Sequence, residues 1–251
     1  MSVKQRTLKS EFSLNGKGLH TGKQVTATFK PAEENFGYRI RRMDLEGSPE
    51  IPALAEYVKL MDRASCLEKD GVCVFTMEHA MAALYGCGID NCLIELSGEE
   101  FPILDGSAKY YVEEIEKVGF EEQKADRRYF TVKEQMEFCS EDGQTKITLL
   151  PDTDYNINLV VAYDSPYLQM QYATYSEKVT DFAKEIAPCR TFVFLRELEM
   201  LLQHNLIKGG DLDNAIVIVD REISQEEVNR LAKLFNHDSI EVKQGILNNL
   251  D

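Results

Sequence analysis

The sequence predicts an α+β fold of two similar domains, each a β-sheet layered with α-helices. Three observations carry that prediction. Segments of strand character come first and segments of helical periodicity follow, and this order occurs twice. A charged stretch, Glu121-Glu122-Gln123-Lys124-Ala125-Asp126-Arg127-Arg128, separates the two occurrences and reads as a junction. The 251 residues, 43% of them hydrophobic, suffice for one large core or two smaller ones. The expected division is 1–124 and 125–251, with a β-α-β insert in the second part.

In the first part, Arg6 to Leu14, Gln24 to Pro31 and Gly37 to Arg42 alternate or carry β-branched residues and read as strands. Thr76 to Gly86 and Ser107 to Val118 have helical spacing, with the apolar run Asn91 to Leu96 as a buried strand between them. In the second part, Tyr129 to Phe138, Thr145 to Leu150, Asn156 to Ala162 and Leu168 to Thr174 read as strands. Glu177 to Ile186, Leu195 to His204 and Ser224 to Asn236 then read as helices. The doubling is one of element order; no short repeat or low-complexity tract occurs.

Composition excludes several classes. A formal charge of −15 makes nonspecific binding to nucleic acid or to an anionic membrane unfavourable. No stretch reaches the roughly 18 to 20 apolar residues that span a bilayer, and Met1-Ser2-Val3-Lys4-Gln5-Arg6 lacks a signal peptide's apolar region, so the expected location is the cytoplasm, without stable membrane insertion. The six cysteines form no Cys-x-x-Cys pair, which argues for reduced thiols over a disulfide framework or a zinc knuckle.

The most informative pair is Glu78-His79, at the start of the run Met77 to Tyr85. Helix neighbours point about 100° apart, so the imidazole of His79 could hold a metal while the carboxylate of Glu78 reaches a water that the metal activates. The alternative is helix-start dipole matching beside an ordinary histidine. Gly16-Lys17-Gly18-Leu19-His20-Thr21-Gly22 reads as a glycine-rich hairpin loop and is one residue short of a P-loop. Asp105-Gly106 is a turn signal, with Asp105 placed to cap a helix starting near Ser107. Phe192, Phe194, Leu195, Leu198, Leu201, Leu202, Leu206 and Ile207 form an apolar segment; Leu195, Leu198, Leu202 and Leu206 fit one face of an amphipathic helix, and Gly209-Gly210 with Ala215 to Val219 beyond it fit a β-α-β excursion. His237 and Glu241, at i, i+4, read as a helix end and surface turn.

Thr76-Met77-Glu78-His79 with Gly86-x-Gly88-Ile89-Asp90-Asn91 resembles the zinc-binding segment of the UDP-3-O-acyl-N-acetylglucosamine deacetylases of lipid A (lipopolysaccharide) biosynthesis. Gly16 to Gly22, Pro102-Ile103-Leu104-Asp105-Gly106-Ser107-Ala108 and Cys189-Arg190-Thr191-Phe192-Val193-Phe194, with Gly209-Gly210 and Asn214 to Val217 downstream, resemble further motifs of that family in the same order. The resemblance implies two domains of similar topology with the active site between them. It further implies Zn2+ held in part by His79, Glu78 as general base, Thr191 stabilising an oxyanion, and Asp105 supporting the site. His20 would contact substrate, and Phe192, Phe194, Leu195, Leu198, Leu202, Ile207 and Gly210 would hold the fatty-acyl chain of UDP-3-O-acyl-N-acetylglucosamine, each buried methylene contributing about 0.8 kcal/mol. A diphosphate substrate requires local cations, for which Arg39, Arg41, Arg42, Arg127, Arg128 and Lys208 are available.

The family's later His-Lys-x-x-x-Asp-type helix and the general-acid histidine beyond it do not occur before Asp251. The expectation is the front part of a longer deacetylase, inactive or weakly active by itself and doubtful in zinc binding. Two alternatives stay open: a non-catalytic acyl and nucleotide-sugar binding paralogue that lost its metal site, and a hydrolase acting through Cys189.

Overall fold

The computed structural model describes residues 3–61, 64–165, 168–203, 207–243 and 245–247. They form a mixed α+β protein with several sheets and few helices. The first half runs β1 (Lys4–Leu8), β2 (Phe12–Lys17), β3 (Gln24–Pro31), β4 (Tyr38–Arg42), β5 (Glu50–Pro52), β6 (Val58–Met61), β7 (Ala64–Lys69), β8 (Val72–Phe75), α1 (Glu78–Gly86), β9 (Cys92–Leu96), α2 (Lys109–Val118) and β10 (Phe120–Asp126). Five of these strands form one sheet in the order β2-β3-β9-β4-β5, parallel only between β4 and β9.

The sheet's buried face carries Ala27, Phe29, Ile40, Ile94 and Leu96, whose alternation with exposed or half-buried neighbours is the period of two that specifies a half-buried strand. Against it pack Ala80, Ala83 and Leu84 of α1 and Tyr111, Val112 and Ile115 of α2. Phe29 is the centre: it stacks on Phe12 at 4.7 Å between ring centroids and meets Tyr111 edge-on at 5.8 Å. Helix α1 ends because Gly88 takes a left-handed φ of 71°, which lets Ile89 N–H reach the Leu84 carbonyl at 2.9 Å and Gly88 N–H reach that of Tyr85 at 2.9 Å.

Three sequence expectations change here. Arg6 to Leu14 is two strands, broken at the exposed Lys9-Ser10-Glu11. The charged stretch read as a junction is largely strand: β10 pairs antiparallel with β1, from Leu8↔Phe120 to Lys4↔Asp126. Its charges line a two-stranded ribbon that water reaches, which is why its composition resembles a linker. The three-stranded sheet β6-β7-β8 was not anticipated, although Asp70 and Gly71, with φ of 52° and 79°, make the two-residue turn that suits a hairpin.

The second half contains β11 (Met136–Cys139), β12 (Lys146–Leu149), β13 (Asn156–Val161), β14 (Gln171–Ser176), a π-helical turn at Phe182–Ile186, β15 (Phe192–Phe194), α3 (Leu195–Gln203), β16 (Ile216–Ile218), α4 (Gln225–Leu234), β17 (Val242–Lys243) and β18 (Ile246–Leu247). The β-α-β excursion is present: β15 and β16 are parallel neighbours joined through α3, in a sheet ordered β15-β16-β18-β17. A second apolar cluster, including Leu195, Leu198, Leu212, Val217, Val228, Leu231 and Leu247, joins this sheet to α3 and α4. The expected strand Tyr129 to Phe138 is regular only from Met136, and the expected helix Glu177 to Ile186 is a turn followed by one π-helical turn, because Ser176 accepts from Val179 and Thr180 N–H before Asp181 caps Lys184. His204 and Leu206 lie outside the described residues.

Candidate active site

Glu78 and His79 open α1, which no side chain caps at Met77. Glu78 is exposed and sits in the first turn, where the helix dipole favours a negative charge. His79 is half-buried. Burial pushes its imidazole below the ordinary histidine range, against the opposing charges of Glu78 and Asp105. A neutral imidazole with a free lone pair is the form that ligates a metal.

The strand end before α1 is fixed tightly. Thr76 takes a left-handed φ of 57°, unusual for a β-branched residue, and its N–H donates to Ser65 O at 3.0 Å. Its hydroxyl donates to Glu100 Oε1 at 3.1 Å. Glu100 is 2% exposed and also accepts from His20 N–H at 2.9 Å, Thr21 N–H at 2.8 Å and Thr21 Oγ1 at 2.7 Å. Of the Gly16 to Gly22 segment, Gly16 and Lys17 end β2, and the hairpin loop read from the sequence begins at Gly18 and leads to β3; Gly22 N–H closes it on Gly18 O at 3.0 Å.

Asp105 corrects one expectation. It does not cap α2, whose start at Lys109 follows an Ala108 with no side-chain cap; instead Asp105 Oδ1 accepts from Ser107 N–H at 3.0 Å and Ser107 Oγ at 2.7 Å, and Ser107 Oγ accepts from Lys109 N–H at 3.1 Å. The reason is spacing: four residues from the helix start, the aspartate reaches the turn but not the first helical amides. In this place its charge bears on His79.

Thr191 is brought to the same turn. Its N–H donates to Gly106 O at 2.7 Å, and Arg190 Nε donates to Asp105 O at 2.7 Å. Gly106, at φ 81°, admits the Asn214 carbonyl so closely that a Cβ would stand 2.2 Å from it. Asn214 is buried and donates to Gly209 O at 2.8 Å, while Gly209 N–H donates to Leu19 O at 3.0 Å. Thus the loop of His20, the turn of Asp105 and the strand of Thr191 are tied along one seam between the two halves of the chain.

The apolar segment divides. Phe194, at the end of β15, is 6% exposed, and Leu195 and Leu198 are 0% and 3% exposed on the α3 face that their spacing alone suggested, whereas Phe192 is 40% exposed. Ile207 is partly buried against the second cluster, Gly210 N–H donates to Ile207 O at 3.0 Å, and the Leu202 side chain lies outside the described residues. Tyr163, which sequence reasoning missed, meets Phe192 and Phe194 edge-on at 5.6 and 5.5 Å; it lies in an irregular segment with no periodicity to flag it. Glu100, hidden in the acidic pair Glu99-Glu100, was missed as well, and Asn214 was read only as part of a motif, without its role in holding Gly209.

Most of the cations available for a diphosphate are engaged within the chain. Arg41 bonds Glu50 and Glu95, Arg42 forms a two-pronged pair with Asp44, and Arg127 pairs with Asp90 at 2.8 Å. Lys208 packs against Gly22 at the seam. Cys189 is exposed and donates to Glu185 O at 3.3 Å, with no histidine among its recorded partners. Burial pushes the thiols of Cys87 and Cys92 up to about 11 and about 12, which makes both inert near neutrality.

Among the described residues, His79 is not part of any group of three side chains that could share one metal ion. The grouping that does occur is Asp211 and Asp213, between α3 and β16, with His237 just after α4. His237 closes that helix as the sequence suggested: its N–H reaches Ala232 O at 2.9 Å while Asn236 takes a φ of 57°. His79 therefore fits as one ligand, and the described residues do not complete a three-ligand site around it.

The chain belongs to the UDP-3-O-acyl N-acetylglycosamine deacetylase (LpxC) family, whose model matches residues 5–237. It is 52% identical over 247 residues to the bifunctional enzyme LpxC/FabZ of Bacteroides thetaiotaomicron, covering 98% of this chain and 53% of that protein. It is 49% identical to the protein of the same name from Porphyromonas gingivalis, again with 98% and 53% covered. It is 41% identical over 227 residues to the UDP-3-O-acyl-N-acetylglucosamine deacetylase of Marinobacter nauticus, covering 90% and 74%. The chain thus spans about half the length of the first two relatives.

Proposed function

We propose that the complete polypeptide carrying this sequence removes the N-acetyl group from UDP-3-O-acyl-N-acetylglucosamine in lipid A biosynthesis, and that these residues supply the general base and one metal ligand. The observation that supports this most directly is the juxtaposition, at the start of α1, of the exposed Glu78 with a half-buried His79 held neutral by its surroundings. Glu78 takes the proton of the attacking water, for which an exposed carboxylate at a helix start is accessible and electrostatically settled. A bound Zn2+ supplies Lewis-acid polarisation of the acetyl carbonyl. The Thr191 hydroxyl donates to the oxygen that gains charge, a role supported by the bond that ties the Thr191 backbone to the Gly106 turn. Asp105 orients the turn and tempers the His79 imidazole.

For the acyl chain, Phe192 is the apolar side chain open to contact, with Phe194, Leu195 and Leu198 forming the packed wall behind it. Leu202, Ile207 and Gly210 complete the proposed acyl side, and His20 the side toward the sugar. The two-domain arrangement belongs to the same reading, with the division after β10. The same reading places the protein in the cytoplasm, and the net charge of −15 disfavours nucleic acid as a partner; no helix among the described residues is long and apolar enough to cross a membrane. A non-catalytic substrate-binding role is the second reading, favoured by the incomplete ligand set around His79.

Glu78→Ala in the complete polypeptide separates the two. The expected result is a fall in kcat of about 10²–10⁴-fold, the range of general-base catalysis, with KM nearly unchanged. Unchanged deacetylation would remove Glu78 from the chemistry, and deacetylation absent from the unsubstituted protein would favour the binding role.

A further inference from the structure

We propose that Glu100 is a positioning residue for this site, a buried carboxylate that fixes the His20 loop and the Thr76 turn against each other and thereby sets the seam on which the second half docks. The inference rests on the deacetylase reading for its kinetic consequence, though not for its structural one.

Four donors converge on this side chain from two separate segments. Oε1 accepts from Thr76 Oγ1 and His20 N–H, and Oε2 from Thr21 N–H and Thr21 Oγ1. A carboxylate that is 2% exposed needs such donors to replace its lost hydration, and two of these are main-chain amides of the His20 loop. Glu100 itself cannot swing away. Phe75 N–H donates to Glu99 O at 2.9 Å and Phe101 N–H to Phe75 O at 3.0 Å, which pins the backbone on both sides.

The loop is shaped to receive it. A Cβ on Gly18 would lie 2.2 Å from Glu100 Oε2 and 2.6 Å from Thr21 Oγ1, so a bare Cα is required where the carboxylate rests. On the loop's other side, a Cβ on Gly209 would lie 2.1 Å from Gly18 O, and Gly209 N–H bonds Leu19 O. Gly209 O in turn accepts from the buried Asn214, whose carbonyl abuts Gly106 beside Thr191. Glu100 is thus the fixed end of a chain of close contacts: Thr76 and the start of α1 on one side, then the His20 loop, then Gly209, Asn214 and the turn of Asp105. A displacement of the loop by an ångström would be transmitted to both sides of the site.

The test compares Glu100→Gln with the unsubstituted protein. The amide group presents a donor to one pair of donors, so it cannot satisfy all four, while shape and volume are kept. Expected in the 251-residue chain is at least a tenfold faster hydrogen exchange of the His20 and Thr21 amides, with protection in β3 and β9 retained. Expected in the complete polypeptide is about a tenfold lower kcat/KM, with no additional loss when Glu100→Gln is combined with His20→Ala, and partial recovery in Glu100→Asp. If Glu100→Gln unfolds, Thr21→Val removes one donor alone and should accelerate exchange at the same two amides by a smaller factor. Unchanged exchange at His20 and Thr21 in a folded Glu100→Gln overturns the proposal. Faster exchange together with no deacetylation by the unsubstituted complete polypeptide leaves the positioning role standing and takes away the deacetylase reading, so the two failures are told apart.

Discussion

At the scale of single residues, backbone freedom decides more than side-chain chemistry. Gly106 combines a φ of 81° with a neighbour, the Asn214 carbonyl, that leaves no room for a Cβ, and its own carbonyl accepts the Thr191 N–H. Gly106→Ala should therefore destabilise the chain by about 1–3 kcal/mol, the usual strain of a non-glycine residue in a sparse region, and should displace Thr191. Urea denaturation checks the first effect; a midpoint equal to that of the unsubstituted chain would show that the seam yields easily. The Asp105-Gly106 signal was visible in the sequence as a turn. What the turn is for was not, because its partner Asn214 lies 108 positions further on and reaches it only through folding.

At the scale of elements, charged side chains on the open face of the main sheet act as cross-strand struts. Glu95 on β9 bonds Lys30 on β3 at 2.6 Å and Arg41 on β4 at 3.0 Å. The Lys30 hydrogen bond, helped by Arg41, lowers the Glu95 carboxyl below the ordinary glutamate range. Its folded-state value is thus below its unfolded value, so its stabilisation is present above the ordinary glutamate pKa and is lost as pH falls through the lowered one. Glu95→Gln should reduce stability at pH 7 modestly, by about 1 kcal/mol or less for pairs this open to solvent, and the gap should close on acidification to about pH 3. Urea midpoints of both proteins across that range test it; a constant gap would mean that packing, not charge, carries the effect. β3 and β9 were placed nearly correctly from alternation alone, since their periodicity states which face is buried. The π-helical turn at Phe182–Ile186 was read as a longer helix because its local spacing is helical; Phe182 is drawn instead onto Gly86, where a Cβ would stand 2.2 Å from its ring.

At the scale of the whole molecule, the two halves differ in how well they cover themselves. On β11 and β12 the cross-strand pairs Met136↔Leu149 and Phe138↔Ile147 share one face, while Glu137↔Thr148 and Cys139↔Lys146 share the other. The apolar face is nonetheless open, with Met136, Phe138, Ile147 and Leu149 at 53%, 58%, 52% and 44% exposure. On β13, Leu159 and Val160 are 52% and 58% exposed. Contiguous apolar strand surface of this kind promotes association. The 251-residue chain should bind an apolar dye and self-associate with rising concentration, and Phe138→Lys with Leu159→Lys should suppress both while leaving the main thermal transition in place. A chain that stays monomeric at high concentration by light scattering, with no dye binding, would contradict this.

The sequence alone determined the α+β class, both helices and the strands β3, β4 and β9 of the first half, the β-α-β excursion and the motifs that carry the family. All of these are written locally, as periodicity, glycine placement and short residue patterns. Tertiary structure alone decided that the charged stretch 121–128 is largely a paired strand, that Phe192 stays open while Phe194 is buried, and that Glu100 and Asn214 hold the seam. Each of those outcomes depends on a partner distant in sequence, supplying a hydrogen bond or excluding water where local composition reads the same for a buried residue as for an exposed one.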